Sequence, residues 1–164
     1  VRVEIKRQAR PLFRSARRQT ISGRVRRLIP NEAKTQTITY QDSCHLCNVM
    51  KTAAAPRRLL RAIEGVDFRE MKDADRCCGS AGIYNLIEPE MLMQILDYKM
   101  EMAKQTNATT IVTATPGCLL QMKLGIERAG LSESVHAVHL VDLMLEATEG
   151  VQAGRREERI RQLS

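Results

Sequence analysis

Tryptophan is absent from the 164 residues, and only two Phe and three Tyr are present. The core must therefore be aliphatic, with eight Met filling irregular gaps. No apolar run approaches the roughly 18 residues that a membrane-spanning helix needs, so no transmembrane segment is expected. The Arg-rich opening lacks the apolar stretch of a secretory leader, and none is expected. With 43% apolar and 27% charged residues, the composition excludes coiled-coil, collagen-like and wholly disordered chains. It suits one ordinary domain.

Acidic residues are scarce only at the start. Residues 1–29 hold nine Arg, one Lys and one acid, a net of +9, so the rest of the +7 chain sums to −2. The opening shows no clean period of two or 3.6, and its charges fall on every face. It has one Phe and no interleaved aromatics, so neither a base-stacking platform nor a nucleic-acid partner is expected. Residues 1–34 are read as a basic extension, disordered or non-native. Residues 35–149 are read as the folded domain, and 150–164 as a charged C-terminal tail.

Within the domain, strand and helix patterns alternate. Thr35 to Tyr40 alternates and is β-branched, as a strand should be. After Pro56, Leu59, Leu60 and Ile63 share a helical face that Gly65 ends, and Val66 to Met71 reads as a second strand. Pro89 suits a first helical turn and opens a helix carrying Leu92, Ile95, Leu96 and Met102. The apolar run Ala108 to Ala114 reads as a buried strand. A helix with Leu119, Met122 and Ile126 follows, then a short strand over Val135 to Val138. A last helix carries Leu140, Leu143, Met144 and Ala147. This order predicts a single layered α/β domain, a largely parallel sheet with flanking helices.

Five Cys lie between positions 44 and 118, an odd number that argues against a simple disulfide framework. Cys44 and Cys47 follow the first strand, the Cys77–Cys78 doublet follows the second, and Cys118 follows the apolar strand. In a parallel sheet those handovers share one edge, so the three segments are expected to converge. Thiolates from several loops suit zinc, Cu(I) or an iron–sulfur cluster. Adjacent cysteines are awkward for one tetrahedral zinc, because neighbouring side chains diverge. A cluster with several irons accepts them, so the doublet tilts the reading towards iron–sulfur.

The pattern C-x(32)-C-C-G…P-G-C resembles the cysteine-rich CCG domain, found in the cysteine-rich component of heterodisulfide reductase and in related iron–sulfur subunits. The strings YQDSCHL, RCCGSAGIYNL, PGCLLQM and VHLVDLMLEA resemble the C-terminal part of the glycolate oxidase iron–sulfur subunit. The resemblance covers Thr39 to Ala147. It implies an electron-transfer subunit of a glycolate or other 2-hydroxy-acid oxidase, relaying electrons from flavin-binding oxidase subunits to a quinone or another membrane-associated acceptor. By the same resemblance Cys44, Cys77, Cys78 and Cys118 hold an iron–sulfur cluster of 4Fe–4S type, and no catalytic acid or base is expected on this chain. A cytoplasmic location follows, peripheral at the inner face of the plasma membrane through partners. A zinc-stabilised structural domain and a non-functional remnant are the alternatives.

The sequence departs from that pattern in three places. The fuller CCG motif ends in C-x-x-C, whereas Gln121 stands three residues after Cys118. Cys47 is an extra thiol: a fifth metal ligand, a replacement ligand or an inert thiol. The ferredoxin-type cysteine motifs and the earlier CCG domain of the whole subunit are missing, so the chain is read as a C-terminal fragment. Other residues take plainer readings. His45 orients its loop, Asp42 forms a turn, His136 and His139 cap or pack, and Met91, Met93, Met100 and Met102 pack along a helix. Gly79 to Gly82 lets backbone N–H groups approach a cluster.

Overall fold

The computed structural model describes residues 36–63, 65–82 and 87–148. The expectations for residues 1–34 and 150–164 lie outside the described residues, as does the IYNL end of the doublet motif. Four strands form one sheet, β1 (Gln36–Gln41), β2 (Val66–Phe68), β3 (Thr110–Thr113) and β4 (His136–His139). Their order is β2-β1-β3-β4 and every pairing is parallel. The α/β expectation is thus met. The helices are α1 (Ala54–Arg61), α2 (Pro89–Gln105), α3 (Pro116–Arg128) and α4 over residues 140–148. No helix among the described residues is long and apolar enough to cross a membrane.

Strand periodicity divides the core in two. Ile38, Tyr40 and Val112 pack on one face with Leu60 of α1 and Leu143 and Ala147 of α4. Ile111 points the other way, into a cluster with Leu96, Met100, Met122 and Ile126 of α2 and α3. All four residues of β3 are buried, as a central strand covered on both sides requires. The second face is rich in methionine, as the shortage of aromatics demanded. Met100 and Met102 are buried there while Met91 is exposed.

Two details differ from expectation. β2 ends at Phe68 rather than Met71. After Arg69 bonds the Ile38 carbonyl, the chain leaves the sheet to form the loop that carries the cysteine doublet. Leu59 is exposed while Leu60 and Ile63 are buried. The helix stops at Arg61, and Ile63 reaches the core through a tighter turn in which its N–H bonds the Leu60 carbonyl.

The strand order fixes where a site can form. From β1 the chain moves outward to β2, then returns to place β3 on the other side of β1. The helix after β1 lies on the Tyr40 face and the helix after β3 on the Ile111 face. The turns leaving β1 and β3 therefore diverge, and a crevice opens at the carboxyl edge between them.

Candidate metal centre

Three turns meet at that crevice. β1 runs into Asp42 and Ser43, then Cys44 opens a single π-helical turn, His45–Val49. The loop after β2 brings in Cys77 and Cys78. The turn after β3 passes through extended Thr115, with Pro116 in the first turn of α3, and so places Cys118 in that turn too. Cys44, Cys77, Cys78 and Cys118 all line one cavity of about 350 Å³, with His45 and Ser80 also on its wall. Convergence of the three segments, expected from chain order alone, is observed. Cys47 is half-buried and does not line the cavity. Its backbone N–H bonds the Ser43 carbonyl at 2.9 Å.

The sulfurs form a chain of neighbours. Hydrogen bonding from Cys78 pushes the Cys77 thiol down to about 5, aided by the Gly79 and Cys78 backbone N–H groups and by Cys44. Hydrogen bonding from Cys78 also brings Cys118 down to about 6, aided by the Thr115 hydroxyl. Cys78, held between Cys118 and Cys77 and buried, is pushed strongly up. Partial desolvation and then the Cys77 charge raise Cys44. Two thiols thus favour the thiolate form, the form that binds metal. Among the described residues no three Cys, His, Asp or Glu side chains gather closely enough to hold a single metal ion.

Buried polar groups fix the turns. Asp42 is only 4% exposed. Its two carboxylate oxygens accept hydrogen bonds from Arg57 at 2.9 and 2.7 Å. The side chain expected to form a turn instead anchors the β1 turn to α1, across 15 residues of sequence. The Asp42 backbone N–H bonds the Ala74 carbonyl at 3.1 Å, which ties the first cysteine turn to the second. Gln41 completes the tie, its amide donating to the carbonyls of Asp42 at 2.7 Å and Arg76 at 3.1 Å. Arg57, Gln41 and Thr115 were not legible as site residues. Polar residues at strand ends carry no sequence signal until their partners are known.

Two glycines hold the backbones close. Gly79 has φ +89°, and a Cβ there would lie 2.9 Å from the Leu92 carbonyl oxygen. Its N–H points at the Cys77 sulfur at 3.4 Å. A Cβ on Gly117 would meet the Ser80 hydroxyl at 2.7 Å, so the first turn of α3 closes over the doublet loop. His139 takes the capping role expected of it. His136 Nε2 pairs with the Thr110 hydroxyl at 3.0 Å, and His139 Nδ1 accepts the Val141 N–H at the start of α4.

The donor set fits a group of soft metals and sulfur. Four thiols, two of them acidified, face a shared cavity. Gln121, one helical turn after Cys118, is 4% exposed and its amide nitrogen has no hydrogen-bond partner. An unsatisfied buried donor is uncommon and signals an acceptor that the protein alone does not supply. That nitrogen would lie 3.1 Å from a Cβ on Gly79, directly behind the doublet.

The cysteine-rich domain family called CCG matches residues 38–123. Over 112 residues the chain is 67% identical to a Bacillus subtilis (strain 168) protein named "Probable glycolate oxidase iron-sulfur subunit". That match takes in 68% of this chain and 25% of the relative. It is 30% identical over 113 residues to "Lactate utilization protein A" of Oceanobacillus iheyensis, covering 69% of this chain and 46% of that one. It is 27% identical over 106 residues to the protein of the same name from Lysinibacillus sphaericus (strain C3-41), covering 65% and 46%. The chain thus spans between a quarter and a half of the length of these relatives. No solved structure gives a significant match.

Proposed function

This chain belongs to the cysteine-rich CCG domain family, and from that premise we propose that residues 35–149 form a domain holding an iron–sulfur cluster for electron transfer. The cluster is of 4Fe–4S type, and Cys44, Cys77, Cys78 and Cys118 are its ligands. The whole assembly oxidises glycolate or a related 2-hydroxy acid on flavin-binding subunits, and a quinone or another membrane-associated acceptor receives the electrons. The chain works in the cytoplasm, peripheral to the inner membrane face through those partners. One observation carries this reading: three separate strand-end turns deliver four thiols to the wall of one cavity.

The bound cluster supplies one-electron chemistry. The residues of this chain hold it and set its surroundings. Cys77 and Cys118, the acidified thiols, are the first to be available as thiolates. Gly79 offers its N–H to the Cys77 sulfur, and Thr115 offers its hydroxyl to Cys118. Such donors raise a reduction potential by stabilising the more negative state. The Asp42–Arg57 pair and the Gln41 bonds keep the turns at fixed separation, whatever the charge at the centre.

Anaerobic reconstitution with ferrous iron and sulfide tests the reading. A brown protein with bound iron and acid-labile sulfide is expected. Cys77→Ser or Cys118→Ser removes that colour, and Cys47→Ser keeps it. A colourless chain that takes up zinc in place of iron overturns the electron-transfer reading in favour of a zinc-stabilised domain. A chain that binds neither metal nor a flavin partner is a non-functional remnant.

A further inference from the structure

Among the described residues, four buried side-chain polar atoms have no hydrogen-bond partner: Thr39 Oγ1, Gln41 Oε1, Thr113 Oγ1 and Gln121 Nε2. Gln121 stands on α3 behind the cysteine doublet and belongs to the metal centre described above. The other three lie on the sheet, and their residues are completely buried. A buried oxygen without a hydrogen bond is costly, and such groups are rare in folded proteins.

Strand register puts these three together. Gln41 of β1 pairs with Thr113 of the parallel β3, and Thr39 pairs with Ile111. Paired residues on neighbouring strands project from one face, and side chains alternate along each strand. Ile38, Tyr40 and Val112 face α1 and α4, whereas Ile111 faces α2 and α3. Thr39, Gln41 and Thr113 therefore share the α2–α3 face. Neighbouring strands lie roughly 4.8 Å apart and alternate residues of one strand about 6.6 Å apart, so the three form one small patch. The cluster on that face is aliphatic and sulfur-bearing, with Leu96, Met100, Met122 and Ile126. Val has the shape of Thr, so packing alone gives no reason for hydroxyls at 39 and 113.

The patch adjoins each cysteine turn. The Gln41 amide nitrogen donates to the carbonyls of Asp42 at 2.7 Å and Arg76 at 3.1 Å. Asp42 leads into Cys44, and Arg76 precedes Cys77. Thr113 ends β3, from which the chain runs through Thr115 to Cys118.

We propose that one internal water molecule binds here, bridging Gln41 Oε1, Thr113 Oγ1 and Thr39 Oγ1, and locks the β3 turn to the two turns that Gln41 already ties. The hydrogen bonds balance. An amide oxygen only accepts, while a hydroxyl both donates and accepts. The water donates to the amide oxygen and to one hydroxyl, and accepts from the other. Buried waters make about three such bonds to groups otherwise left unpaired. A metal cation fits less well, because three neutral oxygens do not offset the cost of burying its charge. The site goes beyond the iron–sulfur reading and stands whatever the thiols hold.

The test is ¹⁷O water relaxation dispersion, which counts long-lived bound waters, on the full metal-free chain. Wild type is compared with Thr39→Val, Thr113→Val and the double variant. The double variant keeps the packing shape and leaves the water a single protein partner, too few to hold it. Its dispersion amplitude is expected to fall by about one water molecule, and its urea midpoint to fall too, because Gln41 loses its bridge. The single variants carry the comparison where the double variant does not fold, and each is expected to lower the amplitude. A wild type without dispersion, or an amplitude equal to wild type in every variant that folds, overturns the proposal. So does a raised urea midpoint, which would show that the hydroxyls are unpartnered in the folded protein.

Discussion

Arg57 grips the Asp42 carboxylate with two parallel N–H bonds while its guanidinium lies over the Tyr40 ring at 5.5 Å. The same guanidinium reaches Glu70 and the Ala53 carbonyl. The hydrogen bonds it donates to Asp42 and then Glu70 push its ionisation further up, so it stays charged at every accessible pH. Arg57→Ala leaves the Asp42 carboxylate nearly buried and unpaired, which is expected to cost about 3 kcal/mol. Urea denaturation of the metal-free variant measures this. An unchanged midpoint would mean the pair contributes nothing to the β1 turn.

Gly79→Ala places a Cβ against the Leu92 carbonyl oxygen in a left-handed backbone. Either the loop shifts or α2 does. A loss of roughly 1–3 kcal/mol is expected, together with a fall in bound iron, because the moved backbone carries the N–H that faces Cys77. Thermal melting and iron content are read side by side. Full iron content at a lowered melting temperature would separate the steric role from the sulfur contact.

Gln121→Leu should act in opposite directions on the two states. The metal-free protein loses an unsatisfied buried donor and is expected to gain about 1 kcal/mol. The reconstituted protein loses a hydrogen-bond donor behind the doublet, and its potential should become more negative. Destabilisation of the metal-free protein would show that the amide already has a partner.

Alkaline stability should follow Tyr40. Burial first, and then the Asp42 charge, raise its phenol from 10.0 to about 12. A folded-state value above the unfolded one adds stability that is fully present below pH 10 and is lost as the pH climbs towards about 12. Urea midpoints across that window should fall in wild type and fall less in Tyr40→Phe. Equal slopes would place the loss elsewhere.

The frame of the molecule was legible because parallel strands and their helices have strong periodicities. The run Ala108 to Ala114 declared a buried strand, found over Thr110–Thr113, and Pro89 marked a helix start. The convergence of the cysteines was legible for the same reason, since chain order in a parallel sheet dictates which turns share an edge. Long-range polar partners were not. Asp42 needed Arg57, the Cys77 turn needed Gln41, and Asp73 needed Lys99 from 26 residues away. Lys99 stands in a helix whose mixed composition gave no reason to bury it. Gln121 stood out only as a missing cysteine, and its buried, partnerless amide is a fact of packing.

Exposure of the thiols is graded, with Cys44 open to solvent, Cys77 half-covered, and Cys78 and Cys118 deep. The gradient gives the site a doorway. Anything that enters from solvent meets Cys44 first and Cys78 and Cys118 last, and no strand has to part for it to do so.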